Sequence, residues 1–175
     1  MSIKTIFLDR DGVINKEKNY LFRIDDFEFH NGIFESCRYF QMLGYKIIII
    51  TNQSGISRGY YSENDYQKIT QWMLKKFLEN GVNILDIFHC PHSPKENCLC
   101  RKPKPGMLIK AKEKYGIDMK SSWFIGDKED DITAAKSSGI KNTVLVRSGH
   151  EIHETNSRAK YLIDSINDSI KLIMN

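Results

Sequence analysis

The sequence predicts an α/β fold: a doubly wound, mainly parallel sheet with helices on both faces. Two observations predict it. Short, nearly continuous apolar runs rich in β-branched and aromatic residues recur along the chain, the pattern of strands buried on both faces. Longer segments with apolar residues at helical spacing separate them, and this alternation favours parallel pairing through right-handed crossovers.

The elements follow in order. Lys4 to Leu8 is the first strand, and a long connection, Lys16 to Asn31, follows it. Gly32 to Leu43 reads as a helix because Ile33, Phe34, Cys37, Phe40 and Leu43 share one face and Gly44 stands where a C-terminal cap belongs. Tyr45 to Ile50 is the second strand. Ser62 to Asn80 opens on a capping serine, stops before Gly81, and lines up Tyr66, Ile69, Met73 and Phe77 as a stripe. The strand Ile84 to His89 and the helix Gly106 to Tyr115 come next, then the strand Ser122 to Ile125 and the helix Glu129 to Ser138, closed by Gly139. The strands Thr143 to Val146 and Tyr161 to Ile163 and a final helix, Ser165 to Met174, complete the chain. There is no internal repeat, low-complexity tract or linker, so one domain spanning residues 1–175 is expected.

Composition narrows the function. The chain has 26 Lys and Arg against 22 Asp and Glu, a net charge of +4, with both signs interspersed, so nothing marks a nucleic-acid partner. The longest aliphatic run is Ile47 to Ile50, far below the ~18 residues of a membrane span, and Asp9 interrupts the N-terminal apolar run; no membrane partner or signal peptide is expected. Cys90, Cys98 and Cys100 crowd together with His92 while Cys37 stands alone. Disulfide frameworks spread their cysteines, so this crowding points to a metal site in a reducing compartment, the cytoplasm.

In such folds ligands bind outside the carboxyl ends of the strands. The first strand is followed by Asp9-Arg10-Asp11-Gly12, two carboxylates that can hold a divalent cation and divide the work of nucleophile and acid; alone, a turn with solvated acids explains the motif equally well. Thr51-Asn52-Gln53-Ser54-Gly55 after the second strand offers hydroxyl, amide and N–H groups to phosphate oxygens, or an ordinary polar loop. After the third strand, Cys90, His92, Cys98 and Cys100 form a Cys3His set suited to tetrahedral, structural Zn2+, which would hold Arg101 and Lys102 over the strand ends. Free thiols at a strand end are the plainer alternative. Asp127 after the fourth strand can share a cation with Asp9, whereas Asp130 and Asp131 read as first-turn capping or supporting residues.

Acid pair, threonine loop, lysine and acid cluster, in that order, resemble the four motifs of the haloacid dehalogenase superfamily of aspartate-nucleophile phosphatases, from Ile3 to about Gly149. The resemblance implies a capless haloacid-dehalogenase-like fold with a zinc-binding loop over residues 90–104. It implies that Asp9 attacks phosphorus to form an aspartyl-phosphate, and that Asp11 protonates the leaving oxygen and then activates water. Mg2+ would be held by the Asp9 carboxylate, the Asp11 backbone carbonyl and Asp127. Thr51 and Lys102 would hold the phosphoryl group, Arg101 would recognise the substrate and Lys128 would support nucleophile or substrate. Arg10, Asn19, Tyr20, Asn52, Gln53 and Ser54 complete the implied phosphate- and substrate-binding set. Asp9 should stay ionised while Asp11 carries a proton at the moment of leaving-group departure.

The implied substrate is a small phosphorylated sugar, a heptose 1,7-bisphosphate hydrolysed at the 7-phosphate on the way to a nucleotide-activated heptose, and the implied state is a monomer. Ser54 to Gly59 and Pro105-Gly106-Met107 follow that type, whereas the short Ser93 to Asn97 stretch follows the histidinol-phosphate phosphatases, which makes histidinol phosphate the alternative. A phospho-acceptor module without turnover ranks lower, since it needs neither Asp11 nor a metal-fixed Arg-Lys pair. A zinc-knuckle nucleic-acid binder ranks lower too, because no aromatic residue for stacking lies between Cys90 and Gly106.

Overall fold

The computed structural model describes residues 2–174, so Met1 and Asn175, the two ends of the expected domain, lie outside the described residues. Six strands, β1 (Thr5–Leu8), β2 (Lys46–Asn52), β3 (Ile84–Cys90), β4 (Trp123–Gly126), β5 (Asn142–Val146) and β6 (Tyr161–Ile163), form one sheet in the order β3-β2-β1-β4-β5-β6. Every pairing among them is parallel. The helices α1 (Ile33–Met42), α2 (Glu63–Glu79), α3 (Gly106–Tyr115) and α4 (Glu129–Ser137) occupy the crossovers.

Strand alternation divides the core. Ile6, Leu8, Ile47 and Ile49 pack with Ile33, Cys37 and Phe40 of α1 and with Ile69, Met73 and Phe77 of α2. Phe7, Ile48 and Ile50 face the other way, against Met107, Leu108 and Ala111 of α3 and Ala134 and Ala135 of α4. Burial of such side chains at ~1.5–3 kcal/mol each is what holds the helices on the sheet. Ser62 caps α2 as its sequence indicates: its hydroxyl accepts from the Asp65 N–H (3.1 Å) and the Asp65 carboxylate accepts from the Ser62 N–H (2.9 Å).

The chain runs outward from β1 through β2 to β3, then returns to place β4 on the other side of β1. Strand order therefore reverses at β1, and the crevice beyond its carboxyl end is where such sheets bind ligands. The expected last helix, Ser165 to Met174, is a correction: the segment forms only a 3-10 helix, Ile166–Lys171. Asn167, Asp168 and Ser169 compete for backbone hydrogen bonds in short turns, and the Asp168 carboxylate accepts the Ser165 N–H (3.1 Å). No helix among the described residues is long and apolar enough to cross a membrane.

Candidate active site

Asp9 is the first residue past β1, and its N–H continues the ladder to the Ile125 carbonyl (3.1 Å), so its place is fixed by the sheet. Just beyond, Gly12 takes φ +89°, and a Cβ there would lie 2.3 Å from Asp127 Oδ2. Only glycine lets the turn after β1 come this close to the strand end of β4.

Lys102 is delivered by the cysteine-rich loop. Asn52 pins its backbone from both sides, accepting the Lys102 N–H (3.1 Å) and donating to the Lys102 carbonyl (3.1 Å). The buried ammonium then reaches Asp9 Oδ1 (2.9 Å), Asp131 Oδ1 (2.7 Å) and the Ile50 carbonyl (2.8 Å). Asp131 does two jobs: Oδ1 meets Lys102, and Oδ2 accepts the N–H groups of Asp127 and Lys128 (3.1 Å each), capping α4.

Asp11 sits in a separate network. Its carboxylate accepts from Arg10 Nη2 (3.0 Å), Asn15 Nδ2 (3.0 Å) and Gln53 Nε2 (3.1 Å). Gln53 also donates to Thr51 Oγ1 (2.8 Å) and accepts from the Tyr61 hydroxyl (2.5 Å). Burial raises the Asp11 acid, but the Arg10 charge and these three donors outweigh it and hold the group below its ordinary range. For Asp9 burial wins over the lowering by Lys102, and its pKa is raised to about 6; Asp131, buried by the same lysine, is likewise raised to about 6. Without a cation, burial therefore raises Asp9 while the donors that converge on Asp11 lower it; the expectation that Asp9 stays ionised rests on Mg2+ as well as on Lys102.

These groups open onto a cavity of about 240 Å³, lined by Asp9, Asp11, Asn19, Tyr20, Asn52, Gln53, Ser54, Arg101, Lys102 and Lys128. Glu17, Arg58, Tyr61, Asp130, Asp131 and His150 line it too. The connection over residues 16–31 and the cysteine-rich loop therefore both shape the cavity. Two expected binding residues do not line it. Arg10 is buried with its guanidinium on Asp11 and the Leu21 carbonyl (3.1 Å), a place from which it can orient the acid. Thr51 is buried behind Gln53. The sequence carries no sign of Glu17 or His150, each one polar residue among several in a loop that lies outside the strand-end motifs, whereas Arg58 stands within the motif Ser54 to Gly59.

Two residue sets fit metals. Asp9, Asp127 and Asp131 bring carboxylate oxygens within 4.8 Å of one another, and buried Asp127 Oδ1 has no hydrogen-bond partner. An all-oxygen set of this kind, with one oxygen left unpaired, suits a hard cation such as Mg2+. The Asp11 carboxylate is not in the set, so any part it takes in metal binding falls to its backbone carbonyl. Cys90, His92, Cys98 and Cys100 form the second set, with Sγ to Sγ separations of 3.1 and 3.6 Å and His92 Nδ1 at 3.5 and 3.3 Å from Cys90 and Cys100. A tetrahedron with Zn–S of ~2.3 Å and Zn–N of ~2.0 Å has edges of about 3.5–3.8 Å, so the set fits zinc with slight contraction.

A buried aspartate at the end of a central parallel strand, braced by a lysine and paired with a second aspartate two residues on, defines a hydrolase of the haloacid dehalogenase class. A family model described as HAD-hydrolase-like matches residues 99–171. The chain is 52% identical over 164 residues to the D-glycero-α-D-manno-heptose-1,7-bisphosphate 7-phosphatase of Photorhabdus laumondii, covering 90% of each chain. It is 43% identical over 177 residues to the β-named 7-phosphatase of Pasteurella multocida, covering 97% of this chain and 96% of that one. The chain belongs to the family of the heptose-1,7-bisphosphate 7-phosphatases. The D,D-heptose 1,7-bisphosphate phosphatase of B. bronchiseptica, solved with magnesium and phosphate, superposes with a TM-score of 0.88 at 26% identity, covering 97% of both chains.

Proposed function

We propose that this chain hydrolyses the 7-phosphate of D-glycero-α-D-manno-heptose 1,7-bisphosphate through an aspartyl-phosphate on Asp9. The observation that carries the reading is Asp9 itself: a buried carboxylate held 2.9 Å from Lys102 Nζ, facing a cavity that also holds Asp11. The relatives named for the α anomer are 52% and 53% identical and those named for the β anomer 39% to 46%, which supports the α form.

Asp9 attacks phosphorus while the bond from phosphorus to the sugar oxygen breaks, and Asp11 gives that oxygen its proton. Asp11 then takes a proton from the water that attacks the aspartyl-phosphate, releasing phosphate and restoring Asp9. The phosphate dianion of the substrate raises the proton affinity of Asp11, opposing the three donors that lower it. Lys102 offsets charge on the equatorial oxygens, and Ser54, Arg101 and Lys128 lie around the same space. Mg2+ bound by Asp9, Asp127 and the Asp11 carbonyl supplies further neutralisation of that charge, and its own charge favours the ionised form of Asp9. Thr51 acts through Gln53, which sets the direction of Asp11.

In the same reading, residues 1–175 act as one catalytic domain, a monomer in the cytoplasm, with structural Zn2+ on Cys90, His92, Cys98 and Cys100 fixing the loop that presents Arg101 and Lys102. Phosphate release from the two anomers of the heptose bisphosphate and from histidinol phosphate, side by side, tests it. The α anomer should give the highest kcat/KM. Preference for histidinol phosphate would overturn the substrate, and no turnover of any of the three would overturn the enzyme.

A further inference from the structure

We propose that His150 is a positioning residue that fixes the metal-binding face of Asp127 and ties it to the rim of the cavity. Residue 150 engages one oxygen of Asp127 twice: its backbone N–H donates to Oδ2 (2.9 Å), and its ring Nδ1 donates to the same atom (2.5 Å). The approach is a built feature of the loop after β5, since a Cβ on Gly149 would lie 2.1 Å from Asp127 Oδ2. With Oδ2 saturated, the buried Oδ1 is the oxygen without a partner. The carboxylate therefore presents one defined oxygen to a cation, as hydrogen-bonded supporting residues do in metal sites.

The opposite edge of the imidazole points to the substrate side. Nε2 lies 3.9 Å from Glu17 Oε2, and Glu17 Oε1 accepts the Asn19 N–H (2.7 Å). Asn19 and the next residue, Tyr20, hold positive φ, +44° and +57°, a region that asparagine enters readily but that is uncommon for a bulky residue such as Tyr20. Both line the cavity. His150 thus stands between Asp127 and the positive-φ segment that forms the cavity wall, so that order at the cation site supports order at the rim.

The inference rests on the phosphatase reading through its Mg2+ site, and its test separates the two. Mg2+ titrations of wild type, His150→Ala and His150→Asn are followed by the rise in Tm with Mg2+ alone, and by the Mg2+ half-saturation of phosphate release. Asn places an amide N–H close to where Nδ1–H lies. The expected result is a ~10–100-fold weaker Mg2+ midpoint for His150→Ala in both readouts, with recovery to within a few-fold in His150→Asn. KM for the sugar should rise in both variants, because neither keeps the contact with Glu17. If His150→Ala does not fold, His150→Gln, whose longer side chain carries its amide nearer the Nε2 position, provides the same contrast with His150→Asn. A wild-type Mg2+ midpoint in His150→Ala, or an Asn variant no better than the variant without the Nδ1 donor, overturns the positioning role. A wild type whose Tm and activity ignore Mg2+ overturns the phosphatase reading instead.

Discussion

Replacing Lys102 with Met keeps the length of the stem and removes the charge, and the structure sets the size of the effect. The ammonium is almost wholly buried and bonds two carboxylates at 2.9 and 2.7 Å and a carbonyl at 2.8 Å. Removing one partner from a buried charge network costs about 3–5 kcal/mol, because the remaining charges keep their desolvation penalty. Burial already raises Asp9 and Asp131 to about 6, against an ordinary 3.8, even with the lysine lowering them. A carboxyl group raised in the folded state binds its proton more tightly there than in the unfolded chain, so stability is lost as pH rises through the folded value. The loss is larger in the Met variant, where the lowering by Lys102 is gone and only the backbone N–H groups on Asp131 remain. Urea unfolding, read by Trp72 and Trp123 fluorescence in Mg2+-free buffer, should therefore show a gap of about 3–5 kcal/mol between wild type and Lys102→Met near pH 8, narrowing toward pH 5 as the carboxylates take protons. In the presence of Mg2+, kcat/KM should fall by about 100-fold or more. A gap below ~1 kcal/mol, or one that does not change with pH, would refute the assignment of Lys102 as the counter-ion of both acids.

Gly12→Ala should lose ~1–2 kcal/mol from the positive φ alone, and because the new Cβ displaces Asp127, Mg2+ affinity measured by thermal shift should fall as well; unchanged affinity would mean that the turn does not shape the cation site. Gln53→Ala should lower kcat about tenfold with little change in KM, since Gln53 orients Asp11 and is itself held by Tyr61; a pure KM effect would return it to substrate binding. Native protein should react slowly with a thiol reagent at all four cysteines if zinc occupies the proposed site, because Cys37 is fully buried and its thiol is raised by that burial, while the other three would be held by the metal. Zinc chelation should expose three reactive thiols and lower Tm; a fast thiol in the untreated protein, or an absence of zinc by metal analysis, would contradict the clamp.

The sheet was legible because the strands are short, mostly apolar runs, interrupted only at the edge strand β3 by Asp86 and His89, and the strand ends and the loop after β3 then bring Asp9, Lys102 and Asp127 together. The final segment misled because its apolar Ile166, Ile170 and Ile173 keep helical spacing, while the polar residues among them favour tighter turns. At the site, sequence reveals which residue types stand at strand ends but not which way each side chain turns. Arg10 and Gln53 sit among substrate-binding motifs, yet their hydrogen bonds point inward to Asp11. Glu17 and His150 come from loops 133 positions apart, and only the fold brings their side chains within 3.9 Å. The shifts of the acids were hidden for the same reason: they follow from the burial of each carboxylate set against the donors and charges around it, and both exist only in three dimensions.

Trapping the covalent intermediate tests the central claim most directly. Enzyme mixed with heptose 1,7-bisphosphate and Mg2+, quenched in acid within one turnover and digested, should carry a phosphoryl group on the peptide containing Asp9 and on no other. Asp11→Asn should slow both formation and hydrolysis of the intermediate, because it lacks the acid of the first step and the base of the second, and Asp9→Asn should show neither phosphorylation nor turnover. Label on a different residue, or steady phosphate release by Asp9→Asn, would contradict the account.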